Sequence, residues 1–443
     1  MNINLKSWLS SLLMGAVFPL FAQEANTKQL GLTDLFDLAD AHNQDLKILD
    51  QVQHLASLNI KEEKQKLLPT IDANVAFSYN ADGWISDRNF SNGFSVEIPA
   101  FGANFALEAK QIIYAGGAIR NSIELAKLGQ QSSLVEKELV KQNVRFGITG
   151  YYLEMQKISN QRIVIEKNIT QTEKMIAQIK AKKEQGVALK NNITRYELQL
   201  QSLHVALLQL NNAIDLINNE LVQLVNLPIG TKIKLKPLEG LATAADGALG
   251  NNTKDWMATA LETSPEVHLA GLDIQKAEKV EKLVKADRLP QVYGFASEYL
   301  NGPILIEIPT INKNFNYWYV GAGVKYSISS LYKNKVKEDK AKTASKIAYE
   351  KEAKIQDQLV KDIQAAQIKY LETIHVYKNR LKSVELAKQN YNVVQNRYLN
   401  QLSLITEMMD AENTQLDAEL QATNAQINIL FHYYQLRKLA GTL

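Results

Sequence analysis

Glu407 and Asp410 are the residues of this chain whose types and spacing most invite a chemical reading. In "LITEMMDAENTQ" they stand three positions apart in a stretch of helical character, so both carboxylates share one helix face. Like charges placed this way repel by roughly 0.2–0.5 kcal/mol unless the face looks into water. Two readings fit: the solvated outer face of a coiled coil, or the wall of an aqueous passage, where carboxylates favour cations. Little else in the chain suggests chemistry. The histidines (His42, His54, His204, His268, His375, His432) show no metal-ligand spacing, and without cysteine there is neither a thiolate site nor a disulfide framework. "VGAGVKY", beginning at Val320, lacks the third glycine of a dinucleotide loop and lies in a strand pattern. No nucleophile elbow, phosphate loop or pair of catalytic carboxylates occurs. The sequence therefore points away from an enzyme and calls for no metal or cofactor.

The elements that would position these carboxylates follow from composition and periodicity. Charged residues make up 22% of 443 and nearly balance, leaving +3, unlike the clustered basic surface of a nucleic-acid binder. Lys6, the apolar run from Trp8 to Phe21 and the small residue Ala22 read residues 1–22 as a signal peptide. The run is too short for a membrane helix and contains Gly15 and Pro19. The mature chain is therefore expected outside the cytoplasm.

"KEEKQKLLPTIDANVAFSY", from Lys61 to Tyr79, changes period at its proline. A charged helix precedes Leu68-Pro69; afterwards Ile71, Ala73, Val75, Phe77 and Tyr79 alternate with polar residues, the pattern of a strand with one apolar face. The event recurs at Leu289-Pro290 in "EKLVKADRLPQVYGFASEYL". Sliding the chain along itself places Asn43 on Ser264, Ala39 on Ala260 and Ile71 on Val292. Further along, Lys110 falls on Lys325, Ile113 on Ile328 and Glu197 on Glu412. The chain reads as a tandem duplication of about 200 residues per copy, too few copies for a solenoid. The first copy spans 23–226, the linker 227–255 and the second copy 256–443.

Each copy offers two strands, near 70–79 and 103–114 in the first and near 290–300 and 317–328 in the second. Phe105 and Leu107, and likewise Val320 and Val324, fall on the apolar side of their strands and are expected to face lipid if the strands sit in a membrane. Aromatic residues near the strand ends (Tyr114, Trp318, Tyr326) suit the interfacial girdles of a membrane barrel. A water-facing sandwich shows the same alternation. Long helical runs follow, from about Ala118 to Gln185 and from about Lys333 to Asn400, each on the order of 100 Å. Apolar residues recur in them at three- and four-residue spacing, as in Ile165, Ile169, Ile176 and Ile179, the signature of packed antiparallel coiled coils. The hairpin turns fall near 184–191 and 399–406. Four strands per chain cannot close a barrel in lipid, so a membrane location requires several chains to share one.

The signal, the doubled helix–strand–strand–helix order, Leu-Pro before a strand, and "IIYAGGAIRNSIELA" after one resemble the TolC-type outer membrane efflux proteins. The resemblance covers nearly all of the chain beyond residue 30. It implies a mixed α and β fold in a homotrimer: a twelve-stranded barrel in the outer membrane and a tunnel of coiled-coil helices across the periplasm. It further implies a channel fed by an inner-membrane transporter through a periplasmic adaptor, with outer-membrane lipid around the barrel and no nucleic acid as partner. The family's tip pattern maps onto Gly186 with Asn192 in the first turn, where an acid is replaced by amide. In the second turn it maps onto Tyr398, Gln401 in place of glycine, and Glu407, with Asp410 at a further acidic position. Tyr398, Asn192, Glu407 and Asp410 are thus expected at a periplasmic gate; threefold symmetry would gather Glu407 and Asp410 into a ring of six carboxylates. The turn residues Gly186, Val187, Ala188, Gln401, Leu402 and Ser403 are expected to dock the adaptor. The family's arginine two residues past the glycine is Ser403 here, so no gate held by that ion pair is expected. The alternative reading is a soluble periplasmic coiled-coil scaffold or adaptor.

Overall fold

The structure, a computed structural model, describes residues 27–236 and 255–443. The expected signal peptide and most of the expected linker lie outside these residues. In chain order the elements are β1 (Thr27–Leu30), α1 (Leu32–His42), α2 (Gln44–Gln65), β2 (Thr70–Tyr79), β3 (Gly83–Ile85), β4 (Phe94–Val96), β5 (Phe101–Ala115), α3 (Ala118–Glu184), α4 (Lys190–Leu224) and β6 (Lys232–Leu235). The second half follows with α5 (Trp256–Thr263), α6 (Pro265–Ala286), β7 (Gln291–Gly302), β8 (Phe315–Lys325), α7 (Ser330–Leu399) and α8 (Ile405–Leu439). The helix–strand–strand–helix order occurs twice, the order expected from the sequence repeat. No helix among the described residues is long and apolar enough to cross a membrane.

The chain forms two compact units. One contains α2, α5, α6 and the main sheet, with the parts of α3 up to Phe146, of α7 up to His375 and of α8 from Ile429. Its four strands lie in the order β2-β5-β7-β8, every pair antiparallel. The two Leu-Pro steps are built alike. The Leu67 and Leu68 amides turn back onto the Lys64 and Gln65 carbonyls, and the Arg288 and Leu289 amides onto Lys285 and Ala286, before each proline releases the chain into a strand. After β5, Gly116 takes φ +60° and sits against the second Leu-Pro; a Cβ there would come within 2.7 Å of the Leu289 side chain. Asn43 caps α2, its Oδ1 accepting from the Asp45 and Leu46 amides at 2.9 and 3.3 Å, and Asp255 caps α5 through the Ala258 amide at 3.0 Å. A small core of Ala260, Val267, Leu359, Ile363 and Ala440 binds α5 and α6 to α7 and α8.

The other unit contains β1, α1, α4, β6, α3 from Gly147, and the parts of α7 and α8 between Val376 and Asn428. Along α3 the buried residues Ile165, Ile169, Thr172, Ile176 and Ile179 step by four, three, four and three, and Ala387, Tyr391 and Tyr398 continue the rule on α7. That spacing is the seam of a coiled coil. Ile165 and Ile169 meet Leu203 of α4, with Leu416 and Leu420 of α8 packed against them. The stretch after Pro228 is not only a linker: β6 pairs in parallel with β1, from Thr27 opposite Lys232 to Leu30 opposite Leu235. Asn218 fastens this pair to α4, its amide donating to the Thr231 carbonyl and its oxygen accepting from the Ile233 amide, both at 2.8 Å.

Candidate functional site

Two regions carry the functional expectations: the faces of the main sheet and the helical hairpin turns. In the sheet, cross-strand register decides which side chains share a face. Val75 lies opposite Phe105, which lies opposite Leu300; Ala73, Leu107, Glu298 and Trp318 form the next row, and Ile71, Ala109, Ala296 and Val320 the one after. Val292 and Val324 close the series at the strand ends. This face is apolar apart from Gln111, Glu298 and Asn316, and much of it is bare: Val75 is 58%, Trp318 71%, Val320 68% and Val324 68% exposed. All four residues expected on the apolar face, Phe105, Leu107, Val320 and Val324, lie on it. The opposite face carries Thr70, Asp72, Asn74, Ser78, Asn104, Glu108 and Lys110 on β2 and β5. Strands β2 and β8 are each paired on one side only, so the sheet ends in two open edges.

The sequence left the facing of β7 open because Val292, Tyr293 and Phe295 are all apolar. Register resolves it. Val292 and Ala296 belong to the bare apolar face, whereas Tyr293, Phe295 and Tyr299 share the face of Glu108 and Lys110. A β-bulge between Ile112 and Tyr114 inserts Ile113, whose side chain lies 3.7 Å from where a Cβ on Gly294 would stand, on the apolar face.

Both hairpin turns end their first helix in the same way. Gly186 has φ +76°; its amide bonds to the Lys183 carbonyl at 2.9 Å and the Val187 amide to Lys182 at 3.0 Å. Gln401 has φ +61°, with its amide on Tyr398 at 3.1 Å and the Leu402 amide on Arg397 at 2.8 Å. These are paired Schellman closures. The second keeps the left-handed geometry without the glycine that ordinarily provides it. The Lys182 ammonium donates to the Leu399 carbonyl at 2.7 Å, tying the first turn to the end of α7. Val187, Leu189, Leu402 and Leu404 stand exposed on the two turns, while Ala188 packs against the core beneath them. Leu189 and Leu404 were missed by sequence reasoning; both flank the quoted turn residues and are apolar where a turn is ordinarily polar.

That core consists of Met175, Ile176, Ile179, Ile193, Tyr196, Tyr391, Tyr398 and Met408. Tyr398, expected at a gate, is one of its buried members at 8% exposure, with its hydroxyl bonded by the half-buried Asn192 side chain; burial raises its pKa. The core also encloses a carboxyl group that the sequence did not single out. Glu412 is 4% exposed and accepts from the Thr172 hydroxyl at 3.3 Å. Burial raises its pKa, and the hydroxyls of Tyr196 and Thr172 partly offset that rise. Burial likewise pushes Tyr391 up to about 12 and raises Tyr196, Glu412 adding to both. Glu407 and Asp410, by contrast, are exposed, Glu407 accepting from the Ser403 hydroxyl. The structure thus separates the second turn's acids into two exposed and one buried. Among the described residues no group of three or more His, Cys, Asp or Glu is placed to hold a metal.

A four-stranded sheet with one bare apolar face and two open edges, together with two very long helical hairpins, is a fold shared with solved outer membrane channels. Among solved structures, CusC superposes with a TM-score of 0.78 at 12% identity, covering 92% of this chain and 91% of CusC. The outer membrane protein VceC from Vibrio cholerae gives a TM-score of 0.73 at 14% identity, covering 93% and 96%. The open state of the MtrE outer membrane channel of Neisseria gonorrhoeae gives 0.72 at 17%, covering 93% and 88%. No family model matches the chain, and no curated protein matches it.

Proposed function

We propose that the chain is the outer membrane channel of an efflux or secretion system in a Gram-negative bacterium. The observation that carries this reading is the main sheet. Its apolar face is exposed in a single chain, and its two edges are unpaired, a combination that is unstable in water and impossible alone in lipid. Three chains joining β8 of one to β2 of the next would pair every edge in a twelve-stranded barrel. Phe105, Leu107, Val320 and Val324 then meet lipid, and the polar face lines water. The likeness in fold to CusC, VceC and MtrE supports the channel reading. The long hairpins of three chains form a helical tunnel, and the exposed Val187, Leu189, Leu402 and Leu404 receive a periplasmic adaptor that couples the channel to an inner-membrane transporter. The exposed pair Glu407 and Asp410 supplies the acid at the tunnel entrance.

Fractionation of cells expressing the full chain tests the reading. The protein is expected in the outer membrane, migrating as a trimer, and the purified trimer should conduct ions in planar bilayers. Replacing Glu407 and Asp410 with Gln and Asn should lower its cation selectivity. Recovery as a periplasmic monomer would overturn the proposal, and unchanged selectivity would return both acids to the solvated surface.

A further inference from the structure

On the polar face of the main sheet the two copies differ sharply. Strands β2 and β5 place ordinary water-facing residues there, whereas β7 and β8 place six aromatic rings. Tyr299 stacks on Tyr317 with centroids 5.4 Å apart and planes at 20°, and on Tyr319 at 5.9 Å and 18°. Phe315 extends the stack from Tyr317 at 5.0 Å, and Phe295 meets Tyr319 edge-on at 5.9 Å. Two glycines of β8 make room for Phe295 and for the sixth ring, Tyr293: a Cβ on Gly321 would stand 2.7 Å from the Phe295 ring, and one on Gly323 2.6 Å from the Tyr293 ring. Lipid does not explain these rings, because the same face carries Asp72, Glu108, Lys110 and Lys325.

The row through the middle of this face is chemically particular. Asp72 lies opposite Glu108, Glu108 opposite Ser297, and Ser297 opposite Tyr319. The Tyr299 hydroxyl donates to Glu108 from the adjoining row, which also holds Tyr317. Like charges directly opposite each other weaken a sheet, and Asp72 and Glu108 form no ion pair among the described residues. The ammonium of Lys110, two residues from Glu108 on the same strand face, instead lies over the Tyr293 ring, 4.5 Å from its centroid. Two carboxylates without a counter-cation therefore stand beside a bank of tyrosine rings, Glu108 within hydrogen-bond reach of the Tyr299 hydroxyl. Cross-strand ring stacking contributes to the sheet, whereas the facing carboxylates weaken it. Together they match a solute that brings its own positive charge and its own flat apolar surface.

We propose that this face is a lumenal binding surface for aromatic cations, with Asp72 and Glu108 taking the charge and Tyr299, Tyr317 and Tyr319 the rings. The proposal rests on the channel reading, which makes this face the wall of the barrel lumen, and it names a class of solute the duct passes. The test is block of single-channel current through the reconstituted full-length protein. The probes are tetraphenylphosphonium, the ring-free cation tetraethylammonium, and the aromatic anion benzenesulfonate. Tetraphenylphosphonium should reach half-block at a concentration about tenfold below either of the others, as expected of one or two desolvated cation–ring contacts. The triple variant Tyr299→Leu, Tyr317→Leu, Tyr319→Leu should erase its advantage over tetraethylammonium, and the triple Phe variant should keep it. Asp72→Asn with Glu108→Gln should erase its advantage over benzenesulfonate. Equal block of the unmodified channel by all three probes overturns the inference without requiring any variant to fold, as does a preference that survives both sets of substitutions. A protein that gives no conductance at all refutes the channel reading itself, and this inference with it.

Discussion

A charge placed on the apolar face at two depths measures whether that face meets lipid. Val320 stands at the middle of β8, opposite Ala296, and Val324 next to its last residue, opposite Val292 near the start of β7. Four residues at about 3.3 Å each, on a strand tilted by about 45°, separate the two by roughly 9 Å along the membrane normal. The apolar band of such a barrel is about 25 Å tall, so Val320 lies near its middle and Val324 near its rim. Arginine should cost about 2–4 kcal/mol at Val320 and about 0–1 kcal/mol at Val324. Both side chains are 68% exposed, so loss of packing within the chain is small and similar at the two sites. The difference of about 2 kcal/mol corresponds to roughly 30-fold in the folding equilibrium. Urea titration of the protein refolded into phospholipid vesicles reads it, with the fluorescence of Trp318, on the same face, reporting insertion. Asn74→Arg, on the polar face of β2, should cost less than the change at Val320. Equal costs at Val320 and Val324, or a cost at Asn74 matching that at Val320, would refute the assignment of the apolar face to lipid.

Three further outcomes are expected. Gln401→Gly should stabilise the second turn by about 1 kcal/mol, because a side chain at φ +61° is strained; slower hydrogen exchange of the Leu402 amide would show it, and faster exchange would count against the strain. Glu412→Gln should flatten a pH dependence of stability. A carboxyl group whose native pKa is raised holds its proton longer folded than unfolded, so its contribution is full below the ordinary value of 4.5 and declines as pH rises through the raised native value. Thermal melts of the trimer across that window check this, and equal slopes for wild type and variant would argue against it. Leu189→Glu with Leu404→Glu should leave trimers intact and abolish export from cells; unimpaired export would remove the turns from the docking surface.

Much of the fold was legible because its determinants are local. Leu68-Pro69 and Leu289-Pro290 end helices by backbone chemistry, and the alternation around Leu107 and Val320 needs only neighbouring residues. The pair β1–β6 was not legible. Its partners are about 200 residues apart in sequence, and "TKIKLKP" alternates lysine with apolar residues in a stretch otherwise composed like a linker. The facing of β7 was hidden because both of its sides are apolar, and only its register with β5 separates Tyr293 from Val292. Tyr398 stands in sequence where the gate residue is expected, and its ring packs in the core beneath the turns, a placement that depends on which helices meet there.

The repeat read from the sequence aligns two acids of opposite burial. Glu197 and Glu412 occupy equivalent places in the two copies. Glu412 is enclosed by the first copy's Thr172 and Tyr196, which offer it hydroxyls. The counterparts of those two residues in the second copy are Ala387 and Ala411, both buried. A carboxylate directed at two methyl groups would have no donor and would bear the whole cost of desolvation. Glu197 instead lies at the surface and pairs with Lys180 at 3.2 Å. The sequence repeat thus aligns the two acids, while the choice of hydroxyl or methyl at the facing positions decides which way each one turns. A residue-by-residue comparison of the copies recovers the first of these; the second depends on knowing which helices face each other.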